Sequence, residues 1–184
     1  NIGAPSHEVT VKKAVESNPD AKWRIVVMHH SPYSVDKDEF SNGAAGKVLT
    51  PLFDAYQIDL VLSGHDHFYA RTPATKDGKA DADGTVYLQA GSASGGKCGH
   101  FSADGKDYLE FAYDVASGDA SYSMLTFGGD ALTVESYITG SETPFDTFTL
   151  TARTERNESP SWCFLSKIIA LFVTIINSFK SLFM

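Results

Sequence analysis

Ser63-Gly64-His65-Asp66-His67 sets two imidazoles one residue apart, directly after the apolar run Ile58-Asp59-Leu60-Val61-Leu62. Neutral imidazole is a common nitrogen donor to Zn, Fe and Mn, so this spacing reads as metal ligation. In an extended segment His65 and His67 project to one side. They could hold one ion together, or one each of a pair roughly 3.5–4 Å apart. Gly64 would let the chain turn sharply and an ion approach the backbone. Asp66, between them, would point away from the ion and orient its neighbours. A second histidine pair, His29-His30, follows another apolar run, Arg24-Ile25-Val26-Val27-Met28, and precedes Ser31-Pro32.

One site requires that both runs be strands ending on the same sheet edge. Residues 23–28 are β-branched and uninterrupted, the pattern of a strand covered on both faces. After His30 a polar loop carries Asp36, Asp38, Glu39 and Asn42 to about Gly46. Residues 47–57 then place Val48, Leu49, Leu52, Phe53 and Tyr56 on one helical face. Ile58 to Leu62 is the next buried strand. Strand, helix and strand in this order imply a right-handed crossover with both strands pointing the same way. Their carboxyl ends, where ligands bind in α/β sheets, then bring His29-His30 beside His65-Asp66-His67. Upstream, residues 6–17 suit a short helix with Ser6 as its cap and Asn18-Pro19-Asp20 as its stop.

The second half changes character. Phe68 to Thr72, Thr85 to Ala90, Tyr108 to Val115, Ser121 to Phe127, Ala131 to Ile138 and Asp146 to Thr151 read as strands, most of them alternating. The Gly128-Gly129 pair marks a hairpin. A second sheet stacked on the first is the simplest way to bury them. Thr154 to Ser161 is a polar linker. Residues 162–184, with Lys167 and Lys180 and no acid, form an apolar segment whose helical wheel carries a narrower polar stripe. Its longest run between the lysines is shorter than the roughly 20 apolar residues of a spanning helix. Amphipathicity with Lys on the polar side favours a membrane interface, and packing on this domain or on another copy is the alternative.

The chain has 184 residues, 42% of them hydrophobic, and a net charge of −8. It is long enough for one domain with a sizeable core. The acidic balance argues against nucleic acid as a partner, although a metal can still draw an anionic substrate to an acidic protein. Cys98 and Cys163 are too few for a disulfide scaffold and leave the redox compartment open. The first residues, Asn1-Ile2-Gly3, show neither an initiator Met nor a leader pattern, as in a fragment or processed product.

Val26-Val27-Met28-His29 and Gly64-His65-Asp66-His67 resemble the VxxH and GHxH motifs of the calcineurin-like metallophosphoesterases. His67-Phe68-Tyr69-Ala70-Arg71 and Ala90-Gly91-Ser92-Ala93-Ser94-Gly95-Gly96 resemble the purple acid phosphatase-like branch. The resemblance spans roughly residues 1–150. It implies an α/β fold, a four-layer αββα sandwich of which this chain is the C-terminal half. The units are then residues 1–153, a linker at 154–161 and an amphipathic helix at 162–184. It also implies a dinuclear centre of Fe, Zn or Mn, with His29, His65 and His67 as ligands. His30 is the catalytic candidate, or the ligand itself if the His30-Ser31-Pro32 frame governs. Tyr33, Tyr69 and Arg71 are candidates for holding a phosphate ester, and Arg71 could equally serve a structural ion pair. The family's D-x-H, G-D-x-x-[DY] and G-N-H-[DE] motifs precede its VxxH strand, and none occurs upstream of Val26. Glu39 stands where the branch often carries a further histidine. Three imidazoles lacking the bridging carboxylate would hold one metal weakly or none.

Two functions follow. One is metal-dependent hydrolysis of phosphomonoesters or phosphodiesters. The other is a catalytically incomplete surface module, extracellular and membrane-associated through 162–184. A third arrangement, a half-domain completing its metal site with another chain, is also compatible. Surface roles are expected for His7 and His100, with an adventitious metal pair at Cys98-x-His100 as the lesser alternative.

Overall fold

The computed structural model of the protein describes residues 5–35, 41–93, 101–115 and 119–156. Helix α1 spans Pro5–Ser17 and α2 spans Ser41–Ala55. The strands are β1 Ile25–His30, β2 Leu60–Gly64, β3 Tyr69–Arg71, β4 Thr75–Lys76, β5 Lys79–Ala80, β6 Val86–Ala90, β7 Phe111–Tyr113, β8 Ser121–Gly128, β9 Ala131–Ile138 and β10 Asp146–Thr151. Within the described residues the expected helices and strands are present, with β4 and β5 added as a small hairpin inside a loop. The segment 162–184, Cys98, His100, Asp36, Asp38 and Glu39 lie outside the described residues.

The five-stranded sheet has the order β1-β2-β6-β3-β7. β1, β2 and β6 run parallel, and β3 is antiparallel to both β6 and β7. The parallel β1–β2 pair is the crossover expected from the sequence. Helix α2 ends in a Schellman-type stop. Gln57 is left-handed at φ 50°, Ile58 N–H donates to Phe53 O at 3.0 Å, and Gln57 N–H donates to Asp54 O at 3.2 Å. Ile58 and Phe53 then share one core, which aims the chain into β2.

That core lies between the helices and the sheet. Val15 of α1, Leu49 and Phe53 of α2, and Val61 and Tyr87 of the sheet fill it. On the other face, Leu60, Tyr69, Val86 and Leu88 meet Leu132 and Val134 of β9. β9 is the middle strand of a three-stranded antiparallel sheet, β10-β9-β8. The layers are therefore helix, sheet and sheet, which fits part of a metallophosphoesterase sandwich. The Gly128-Gly129 hairpin joins β8 to β9, with Gly129 at φ 59°.

One expectation changes. The run at 23–28 reads as a strand covered on both faces, yet among the described residues β1 is a sheet edge with Val27 78% exposed. Among the described residues β1 pairs with β2 alone.

Candidate metal centre

β1 and β2 end together. Leu62 pairs with Val27 and Gly64 with His30, which leaves one extra residue on β1 between the two pairings. In a regular strand His29 and His30 would face opposite sides. The bulge breaks that alternation and re-aims the strand end. Both rings then meet His65. Their centroids lie 4.9 Å (His29) and 4.3 Å (His30) from the His65 ring, and 4.9 Å from each other. His65 Nδ1 lies 3.0 Å from His29 Nε2. One ring nitrogen from each of the three falls within 4.8 Å of the others.

The second motif departs from the extended form assumed for it. His65 and His67 adopt φ of 77° and 63°, and Asp66 N–H donates to Gly64 O at 3.1 Å. Left-handed backbone at a residue with a Cβ costs on the order of 1–3 kcal/mol, and it collects at functional turns. The turn carries His65 into the trio and leaves His67 outside it. Gly64 needs no left-handed angle, and a Cβ there would meet nothing within 4 Å. Its contribution is open space beside the strand ends rather than flexibility. Asp66 is buried and accepts a hydrogen bond from Ser34 Oγ.

Three converging imidazoles fit a borderline transition metal such as Zn²⁺ or Fe. The trio contains three imidazoles and no carboxylate among the described residues.

The structure does not bring the three ester-holding candidates to the trio as a group. Tyr69 is fully buried between the sheets, where its hydroxyl donates to Asp146 at 2.8 Å and accepts from Ser136. Burial pushes that hydroxyl far up. Arg71 donates Nε to Asp146 Oδ2 at 2.8 Å and NH2 to Oδ1 at 3.1 Å, pairs with Glu110, and stacks on Phe148. This is the structural ion pair the sequence left open for Arg71. Tyr33 lies three residues past His30 in the sequence, on the helix-side core. Its ring packs on Tyr87 and Tyr108 at 4.7 and 5.3 Å, beside a cavity of about 440 Å³ lined by Pro32, Lys47, Thr50 and Asp54. Burial, then the charge of Asp54, raises its hydroxyl.

At the opposite end of the sheet, buried Asp59 ties the strand starts together. It accepts from Arg24 N–H, Arg153 Nε and Arg156 NH2 at 2.8, 2.9 and 2.6 Å. Sequence reading missed this anchor, and it missed Ser34. Both depend on partners 32 to 97 positions away, which no local pattern encodes.

Residues 3–69 match a family model described as calcineurin-like phosphoesterase. An uncharacterized protein of Mycobacterium tuberculosis (strain ATCC 25618 / H37Rv) is 35% identical over 95 residues, covering 41% of this chain and 18% of that protein. Purple acid phosphatase 21 of Arabidopsis thaliana is 36% identical over 70 residues, covering 38% and 16%. The chain thus spans less than a fifth of the curated relatives it matches. Among solved structures, purple acid phosphatase PPD1 from yellow lupin superposes with a TM-score of 0.64 at 20% identity, covering 81% of this chain and 28% of that one. GAP50, the anchor in the inner membrane complex of Plasmodium, superposes with a TM-score of 0.58 at 19% identity, covering 82% and 42%. These two likenesses establish the fold alone.

Proposed function

We propose that this chain, which resembles the purple acid phosphatase-like metallophosphoesterases in family model, curated relatives and fold, supplies the histidine part of a metal-dependent phosphoric ester hydrolase. The observation that carries the reading is the trio His29, His30 and His65 at paired strand ends, with ring nitrogens within 4.8 Å. When bound there, a metal ion supplies Lewis-acid polarisation and activates water at neutral pH. The chain's own residues position it. His29 and His65 act as ligands, and His30 either joins them or holds a proton beside them. His67 stays a ligand candidate by its place in the GHxH motif. Tyr33, which lines the cavity of about 440 Å³, stays a candidate for holding the organic part of an ester. A second metal would draw on donors beyond the trio. The relatives' longer chains are the reason to treat catalysis as a property of the whole polypeptide carrying this segment.

The test is hydrolysis of p-nitrophenyl phosphate and bis(p-nitrophenyl) phosphate by the polypeptide loaded with Fe, Zn or Mn. Turnover of at least one ester, lost in His65→Ala, is expected. No turnover of either ester by the metal-loaded protein would overturn the reading. For residues 162–184 we propose interfacial contact with a membrane, which would hold the protein at an extracellular or cell-surface location.

A further inference from the structure

Ser34 is fully buried four residues past His30. It joins two loops that are remote in sequence. Its hydroxyl donates to the Asp66 carboxylate. Its carbonyl accepts from Lys106 Nζ and from Tyr108 OH, each at 2.9 Å. At the next residue, Val35 O accepts from Ser102 N–H at 2.9 Å. The segment 101–110 is therefore fastened to residues 34–35 at three points. Ser34 in turn fastens to the middle of a turn whose two histidines both hold left-handed backbone.

Such a turn does not persist by local preference, because a residue with a Cβ resists φ near +60°. Phe68, just past it, is buried in one cluster with Val35, and Phe101 packs on that cluster at 5.4 Å from the Phe68 ring. The apolar contacts fix where the two loops sit. The Ser34–Asp66 hydrogen bond fixes how the histidine turn is rotated between them.

We infer that Ser34 is a positioning residue that couples the 101–110 loop to the His65-Asp66-His67 turn and so sets the affinity of the histidine cluster for a transition metal. This rests on the metal-centre reading above. Outer partners that orient a metal's ligands typically change its affinity by roughly 10–100-fold, and Ser34 acts on the histidine turn through Asp66.

The experiment is titration of the full chain with Co²⁺ alone, followed by its visible ligand-field absorption, for wild type, Ser34→Ala, Ser34→Thr and Tyr108→Phe. Ser34→Ala is expected to weaken binding by about 10–100-fold and to alter the absorption bands. Ser34→Thr, which keeps the hydroxyl, should restore both. Tyr108→Phe should move affinity in the same direction as Ser34→Ala. Wild-type affinity and bands in Ser34→Ala would overturn the inference. If Ser34→Ala loses its cooperative melt, Tyr108→Phe carries the test through the Ser34 carbonyl, and unchanged binding there overturns the inference. A wild type that binds no Co²⁺ would sink the metal reading separately. Amide exchange of residues 64–68 in the metal-free protein then decides the coupling. Faster exchange in Ser34→Ala supports it, and unchanged exchange overturns it.

Discussion

His29 and His65 are separated by 36 positions and meet at 3.0 Å. The approach follows from parallel pairing of β1 with β2 and needs no direct sequence signal between them. Their approach was legible because each follows an apolar run, and such runs end at the ligand-binding edge of a sheet. The place of His30 was not legible. Strand alternation would send it to the face opposite His29, and the bulge in β1 between Val27 and His30 brings it back. His67 went the other way, since an extended GHxH would have placed it with His65 and the left-handed turn does not. Single substitutions separate these roles. His29→Ala and His65→Ala should each weaken Zn²⁺ binding, measured calorimetrically, by more than the roughly 10–100-fold expected for an outer partner. His30→Ala should cost clearly less if His30 serves as a proton-bearing neighbour. An equal loss in His30→Ala would make it a ligand.

Among the elements, the strand pattern was the most legible part of the fold, because β8, β9 and β10 alternate and the glycine pair at 128–129 marks their first turn. That β1 lies at the edge among the described strands was hidden, since a continuous Ile25-Val26-Val27-Met28 run looks the same whether or not a strand lies beyond it. Also hidden was the inter-sheet lock of Arg71 and Tyr69 on Asp146, which joins β3 to β10 across 75 positions. Burial alone would raise the Asp146 carboxyl. Hydrogen bonds from Arg71 and Tyr69, together with the Arg71 charge, outweigh burial and hold it below the usual carboxylate range. A depressed folded value stabilises the protein above the unfolded value, about 3.9 for Asp. That contribution should therefore be full at neutral pH and disappear as pH falls through about 4 and then through the depressed value. Urea melts at stepped pH should show it, and Asp146→Asn should lose this part of the acid dependence. At pH 7 the same variant removes the bidentate carboxylate but leaves Arg71 paired with Glu110, so it should cost less than the roughly 3–5 kcal/mol of a fully orphaned buried charge. A melt at pH 7 matching wild type would show that the lock contributes little.

At the scale of the molecule, the sheet is fastened at both ends, by Asp59 with its arginines at one and by the histidine turn at the other. Most of this architecture was readable from the order of apolar runs, because a parallel pair followed by antiparallel strands leaves few ways to stack two layers. Among the described residues no helix is long and apolar enough to cross a membrane. The segment 162–184 lies outside those residues, so its interfacial role is decided in solution. Flotation with anionic phosphatidylserine-containing liposomes should carry the full chain upward and leave a chain ending at Pro160 at the bottom. Equal flotation of both would remove the tail from the mechanism. The metal centre is decided by titrating the full chain with Zn²⁺ by calorimetry, in wild type and His65→Ala. Three ring nitrogens within 4.8 Å predict one saturable site per chain, abolished or strongly weakened in the variant. Wild-type protein that takes up no Zn²⁺, or a variant that binds it equally well, would contradict a metal centre at these strand ends.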